Sequence, residues 1–132
     1  MKYFKELLLI TLLSVFSLPT LGKKPDFSGE WYYHTTNDSR EYMGNFIFKQ
    51  RGNMIVGEWA EGSLQGMGDT GKLKGIIKGN KLYVRYCNTN SDWRAICPNY
   101  DKEEEYFIFK DKKLVRYKLV GEKYIKSDIL TK

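Results

Sequence analysis

The chain has little of what catalytic and metal sites are usually made from. It carries one histidine, His34, and two cysteines, Cys87 and Cys97. That set cannot supply the four ligands of a structural zinc site. No metal, no cofactor and no catalytic set is expected. No segment after residue 24 repeats its apolar residues at a helical period, which argues against a helical fold. No apolar run approaches the roughly twenty residues of a membrane helix, so no stable membrane insertion is expected. No Arg/Lys run interleaved with aromatics marks a nucleic-acid module, so nucleic acid is not an expected partner.

What the chain does have is short alternating runs joined by glycine turns. Phe46-Ile47-Phe48-Lys49 runs into Arg51-Gly52-Asn53, and Met54 to Trp59 follows. The same happens around Gly79-Asn80 and Gly121-Glu122. Glycine at the first central position suits a type II′ hairpin, whose twist matches that of its strands. Eight strands are expected, over 29–35, 44–50, 54–60, 72–78, 82–87, 105–110, 114–119 and 123–130. The fold class is all-β, an eight-stranded antiparallel up-and-down meander closing into a small barrel. Closure removes two sticky edges. Gly57 and Gly75 on the inner face would permit the bending that closure needs.

The first residues read as an address. Lys2 and Lys5 precede an apolar stretch over 7–16, and Thr20-Leu21-Gly22 offers small residues for a cut after Gly22. Residues 1–22 are therefore expected to be a signal peptide and 23–132 a single β-barrel domain, exported to the periplasm or secreted. The remaining chain has 20 basic and 15 acidic residues, a net charge of +5. That mild excess favours acidic proteins, anionic glycans or lipid headgroups without demanding any of them. In an exported domain Cys87 and Cys97 are expected to form a disulfide, stapling the connection between the fifth and sixth strands.

Period-two alternation assigns faces. Trp31, Tyr33, Phe46, Phe48, Ile55, Trp59, Leu73, Ile77, Leu82, Val84 and Tyr86 are expected to point inward. So are Val115, Tyr117, Leu119, Ile125 and Ile129. Lys72, Lys74, Lys78, Arg85, Arg116, Lys118, Lys126 and Asp128 are expected outside.

Gly29-Glu30-Trp31 opening the first strand resembles the start of calycin-type (lipocalin/avidin-like) barrels. In those families this tryptophan plugs one barrel end and, in lipocalins, an arginine from a late strand stacks on it. Here the last strand has no arginine, only Lys123 and Lys126. The resemblance implies a fold and leaves function open.

Other motifs are weaker. Gly66-Met67-Gly68-Asp69-Thr70-Gly71 matches a phosphate-binding glycine pattern, but a strand follows where a helix N-terminus is needed. Asp69-Thr70-Gly71 is the aspartic-protease tripeptide without its apolar flank. His34 has no nucleophile or carboxylate tied to it by a motif. Asp101 to Glu105 lacks the spacing of a calcium loop. The connection after Cys87 displays Asp92, Trp93 and Arg94, residue types that anchor interfaces; it either binds a partner or folds back as a lid. Lys72, Lys74 and Lys78 share one strand face, as a solubilising row or a docking surface for an acidic partner.

These features favour an exported, monomeric, non-catalytic binding protein. A periplasmic inhibitor or immunity-type protein that neutralises a toxin or lytic enzyme fits best, with Asp92, Trp93, Arg94, Lys72, Lys74 and Lys78 contacting the protein partner. The alternative is a lipocalin-like carrier of a small hydrophobic ligand held by Trp31, Phe46, Phe48, Trp59 and Tyr86.

Overall fold

The computed structural model describes residues 25–64, 66, 68–90 and 95–132. The expected signal peptide and Asp92, Trp93 and Arg94 lie outside them. The described chain is one eight-stranded antiparallel sheet in sequence order, curled into a nearly closed barrel. The strands are β1 (Gly29–Asn37), β2 (Arg40–Arg51), β3 (Met54–Ser63), β4 (Asp69–Lys78), β5 (Lys81–Asn88), β6 (Glu105–Lys110), β7 (Lys113–Val120) and β8 (Lys123–Leu130). There is no helix among the described residues.

The glycine turns are where the sequence places them. Gly52, Gly79 and Gly121 take φ of 60°, 63° and 66°, which glycine adopts without a Cβ penalty. Two further tight turns carry no glycine. Asp38-Ser39 and Asp111-Lys112 have both central residues at positive φ, as type I′ geometry requires. The 36–43 segment, left between the expected first and second strands, therefore forms the tip of a hairpin with Asn37 opposite Arg40.

Closure rests on one short contact. Tyr32 and Thr131 exchange backbone hydrogen bonds of 2.7 and 2.9 Å, and the remainder of β8 forms no ladder with β1. That end of the barrel is plugged. Trp31 is fully buried, its indole N–H donates to the Phe27 carbonyl at 3.0 Å, and Phe109 meets it edge-on. The Lys132 ammonium lies 5.0 Å from the Trp31 ring centroid. The cation over the tryptophan thus comes from the residues after β8, rather than from Lys123 or Lys126. The interior is filled above this plug by Phe46, Phe48, Ile55, Leu73, Leu82, Val84 and Phe107.

The expected faces hold for β1 to β5 and fail in β7 and β8. Leu114 and Arg116 point inward, while Val115 and Tyr117 point out. Asp128, opposite Arg116, is also inside. Ile129, opposite Val115, is outside and exposed. The ladder skips Ser127, since Arg116 pairs with Asp128 and Tyr117 with Lys126. One extra residue reverses the parity of all that follows or precedes it. Ile125 and Ile129 therefore lie on opposite sides of β8, and the single apolar face expected for that strand does not exist.

Gly57 shows how tightly the inner face is drawn together. A Cβ there would lie 1.7 Å from the Ile47 carbonyl oxygen of the neighbouring strand. Backbone cannot yield as a side-chain tip can. Gly57→Ala is expected to destabilise the barrel by about 3 kcal/mol or more, seen as a lowered urea midpoint. The exposed turn glycine Gly52 has open space around it, so its alanine variant should lose only the smaller penalty of positive φ.

Candidate functional site

The open end of the barrel holds a buried charged cluster built around Arg116, which is 1% exposed. All five guanidinium N–H groups have carboxylate acceptors. Nε donates to Glu105 at 2.5 Å and Nη2 to the other Glu105 oxygen at 3.2 Å. Nη1 and Nη2 bridge both oxygens of Glu61, at 2.8 and 3.0 Å. Nη1 also reaches Asp128 at 3.3 Å. The planar fork of arginine suits such paired bidentate contacts.

Two tyrosines extend the network. The Tyr33 hydroxyl donates to Glu61, and that of Tyr86 donates to Glu105 at 3.1 Å. Beneath it, the guanidinium carbon lies 4.9 Å from the Phe46 ring centroid. The cluster therefore ties β1, β3, β5, β6, β7 and β8 to one side chain and rests it on β2.

The electrostatics follow from burial and pairing. Burial opposes ionisation of Glu61, but the Arg116 charge, its hydrogen bonds and the Tyr33 hydroxyl outweigh it, holding the carboxyl below its usual value. Burial and then the Glu61 charge push the Tyr33 phenol far up. Tyr86 is raised by burial and then by Glu105. Burial disfavours charge on Arg116, yet Tyr86, Glu105 and Glu61 keep it protonated.

A cavity of about 450 Å³ opens onto this cluster. Its floor is Glu61, Tyr86, Glu105 and Arg116, and its rim includes Asp101, Glu104 and Lys118. The space left in this end of the barrel is thus polar. Of the five aromatics named for a ligand cavity, Tyr86 lines this one, and all five are buried in the core, with Phe46–Phe48, Phe46–Tyr86 and Trp59–Tyr86 ring centroids at 6.3, 6.3 and 5.7 Å. Trp59 donates its indole N–H to the Cys87 carbonyl at 3.1 Å.

The β5–β6 connection has a rigid base. Cys87 and Cys97 are disulfide-bonded. Asn88 donates to Ala95 at 2.8 Å, and Cys97 donates back to Asn88 at 3.0 Å, forming a short parallel bridge. Thr89 donates to the Thr70 carbonyl at 2.9 Å, and the Asn90 side chain spans Thr70 and Gly68. After Cys97, Asp101 pairs its backbone and carboxylate with Tyr86, and its carbonyl accepts from Arg85. Both shoulders of the connection are thus tied to β4 and β5.

The other named residues are scattered. Lys72, Lys74 and Lys78 are exposed on the outer face of β4. Lys74 sits over Tyr100 at 4.3 Å, and Lys78 over Tyr83 at 5.1 Å with Glu103 at 3.9 Å. His34 is exposed and lies 3.9 Å from Glu41. No metal-type cluster occurs among the described residues.

The sequence reading placed Arg116 and Asp128 outside, Glu61 at the start of a connection and Glu105 in a solvated acidic run, and paired neither with Arg116. Extending the β3 alternation of Ile55, Gly57 and Trp59 by one step would have turned Glu61 inward. Nothing local signals that Arg116 shares its side. No protein-family profile matches the chain, and no curated protein or solved structure is significantly similar to it.

Replacing Arg116 with Met strands three partly buried carboxylates. Breaking such a pairing costs about 3–5 kcal/mol, so the variant should unfold at a much lower urea concentration. For Glu61, a lowered folded value means its stabilisation is full above the ordinary value of 4.5 and is lost as pH falls through the lowered one. Urea midpoints measured from pH 7 downward should therefore fall at acid pH, and less steeply in Glu61→Gln.

Proposed function

We propose that this is an exported, non-catalytic barrel that binds and neutralises another protein, in the manner of a periplasmic inhibitor or immunity protein. The observation that carries the reading is the rigid base of the β5–β6 connection. A disulfide and a set of backbone and Asn90 hydrogen bonds fix both shoulders of the segment that bears Asp92, Trp93 and Arg94. A loop held from both sides loses little entropy on binding, and Trp and Arg are prominent among interface anchors. The exposed Lys72, Lys74 and Lys78 row on β4, whose Lys72 end pairs with Cys87, adds attraction for an acidic target.

The setting agrees. A disulfide suits an oxidising compartment, and no described helix is long and apolar enough to cross a membrane. A nearly closed barrel plugged by Trp31 under a cation is compatible with a calycin-like fold, Lys132 standing where lipocalins use arginine. The alternative, a carrier of a small hydrophobic ligand, has less support, because the aromatics are buried in the core and the cavity beside them is lined by Glu61, Glu105 and Arg116.

Tagged protein exported in its own host and recovered under mild conditions should bring down one discrete protein. Trp93→Ala with Arg94→Ala should abolish that capture and leave the melting temperature nearly unchanged. A large loss of melting temperature would assign Trp93 a lid role instead. A small molecule found by native mass spectrometry, with no protein captured, would favour the carrier.

A further inference from the structure

The β7–β8 hairpin carries apolar side chains that the barrel leaves uncovered. Val120 is 59% exposed, Ile125 51%, Ile129 47% and Tyr124 38%. Single exposed apolar residues are ordinary on protein surfaces, but these four share one hairpin. They also project from both of its sides. Ile125 lies opposite Lys118 on the interior side, where β1 has already parted from β8. Tyr124 lies on the exterior, its ring 4.8 Å from that of Tyr106. The parity change at Ser127 is what distributes them in this way.

On the hairpin itself the charge has one dominant sign, while the acids Glu103 and Glu104 face Tyr124 from the segment that leads into β6. The segment 118–127 holds Lys118, Lys123 and Lys126 against one acid, Glu122. Asp128, the next acid along, is taken up by Arg116 inside the barrel. On the adjoining outer face Lys81 lies 4.8 Å from the Tyr106 ring centroid.

We propose that this hairpin docks the protein peripherally on an anionic lipid surface, without spanning it. A protein interface covers one face of a hairpin. Apolar groups on both faces suit a medium that closes around them. Tyrosine, with an apolar ring and a polar tip, and lysine, with a long apolar stem, are both suited to the boundary between hydrocarbon and water. Lysine is depleted from protein interfaces but is attracted to anionic headgroups. Binding of this kind combines buried apolar area with charge attraction, and the hairpin offers both. Glu122, an acid at the turn, keeps the turn itself off the anionic surface, so the approach is along the free edge of β8.

The test uses the chain from Lys23, which keeps every described strand, and sedimentation with vesicles of equal parts phosphatidylcholine and phosphatidylglycerol. The protein should pellet with these vesicles at low salt, be released at high salt, and ignore pure phosphatidylcholine. Lys123→Glu with Lys126→Glu should weaken binding at least about tenfold. Tyr124→Ser with Ile125→Ser should also weaken it several-fold while circular dichroism stays unchanged. The proposal is overturned if anionic vesicles are not bound at low salt, or if either pair of substitutions has no effect. It is equally overturned if vesicles are ignored and the same substitutions abolish capture of a protein, which would make the hairpin a protein interface. None of these outcomes bears on the Trp93 and Arg94 reading, which its own substitutions decide.

Discussion

Arg116 is the residue on which the barrel depends. Its five donors are shared among Glu61, Glu105 and Asp128, three strands that the hydrogen-bond ladder does not bring together directly. Through the Tyr33 and Tyr86 hydroxyls the same network reaches β1 and β5. This matters because backbone pairing at the seam is confined to Tyr32 and Thr131. One end of the molecule is thus closed by ladder bonds and a tryptophan plug. The other is held by ion pairs under a polar cavity.

That division explains which parts of the fold were legible in the sequence. Gly52, Gly79 and Gly121 announced their hairpins because only glycine takes their φ without strain. Asp38-Ser39 and Asp111-Lys112 make equally tight turns from residues that are common everywhere, so the chemistry of those turns carried a weaker signal. Alternation assigned β1 to β5 correctly because their inward positions are mostly apolar and charged residues recur on their outward ones. In β7 the two candidate faces are Val115, Tyr117 and Leu119 against Leu114, Arg116 and Lys118. Hydrophobicity chooses the first set. The structure chooses the second because acceptors from β3, β6 and β8 converge on Arg116. A partner set contributed by strands up to 55 residues away leaves no trace in the local pattern.

The misassignment also shows what a buried ion cluster does. Replacing such clusters with well-packed apolar groups is often neutral or stabilising, so they are weak evidence for stability in themselves. Their best-attested role is to select one arrangement among near-equals. β7 has two such arrangements, related by turning the strand over. With Arg116 inward, five donors meet acceptors. With Arg116 outward, Glu61 and Glu105 would remain inside with no cation, and a carboxylate left unpaired there is far more costly than a valine on the outer face. The carboxylates thus fix the face of β7, and Ser127 adjusts β8 to match.

The choice has a consequence on the outside of the barrel. The apolar residues displaced from the interior of β7 and β8 by the charged cluster go to the outer face, where Val115 is covered, Tyr117 half-buried and Ile129 exposed. Tyr83, Tyr106, Tyr117 and Tyr124 shelter one another there, with ring centroids 4.8 to 5.5 Å apart, which leaves Tyr106 only 9% exposed. Their mutual cover does not reach Ile129, which stays 47% exposed on the same face. A charged interior and an apolar exterior on the same two strands are therefore one feature, set by a single arginine. The surface it creates is separate from the stapled β5–β6 connection, which belongs to β5 and its disulfide. The molecule carries two candidate contact regions with different physical origins: one from a covalent staple, the other from the side of β7 that Arg116 turned inward.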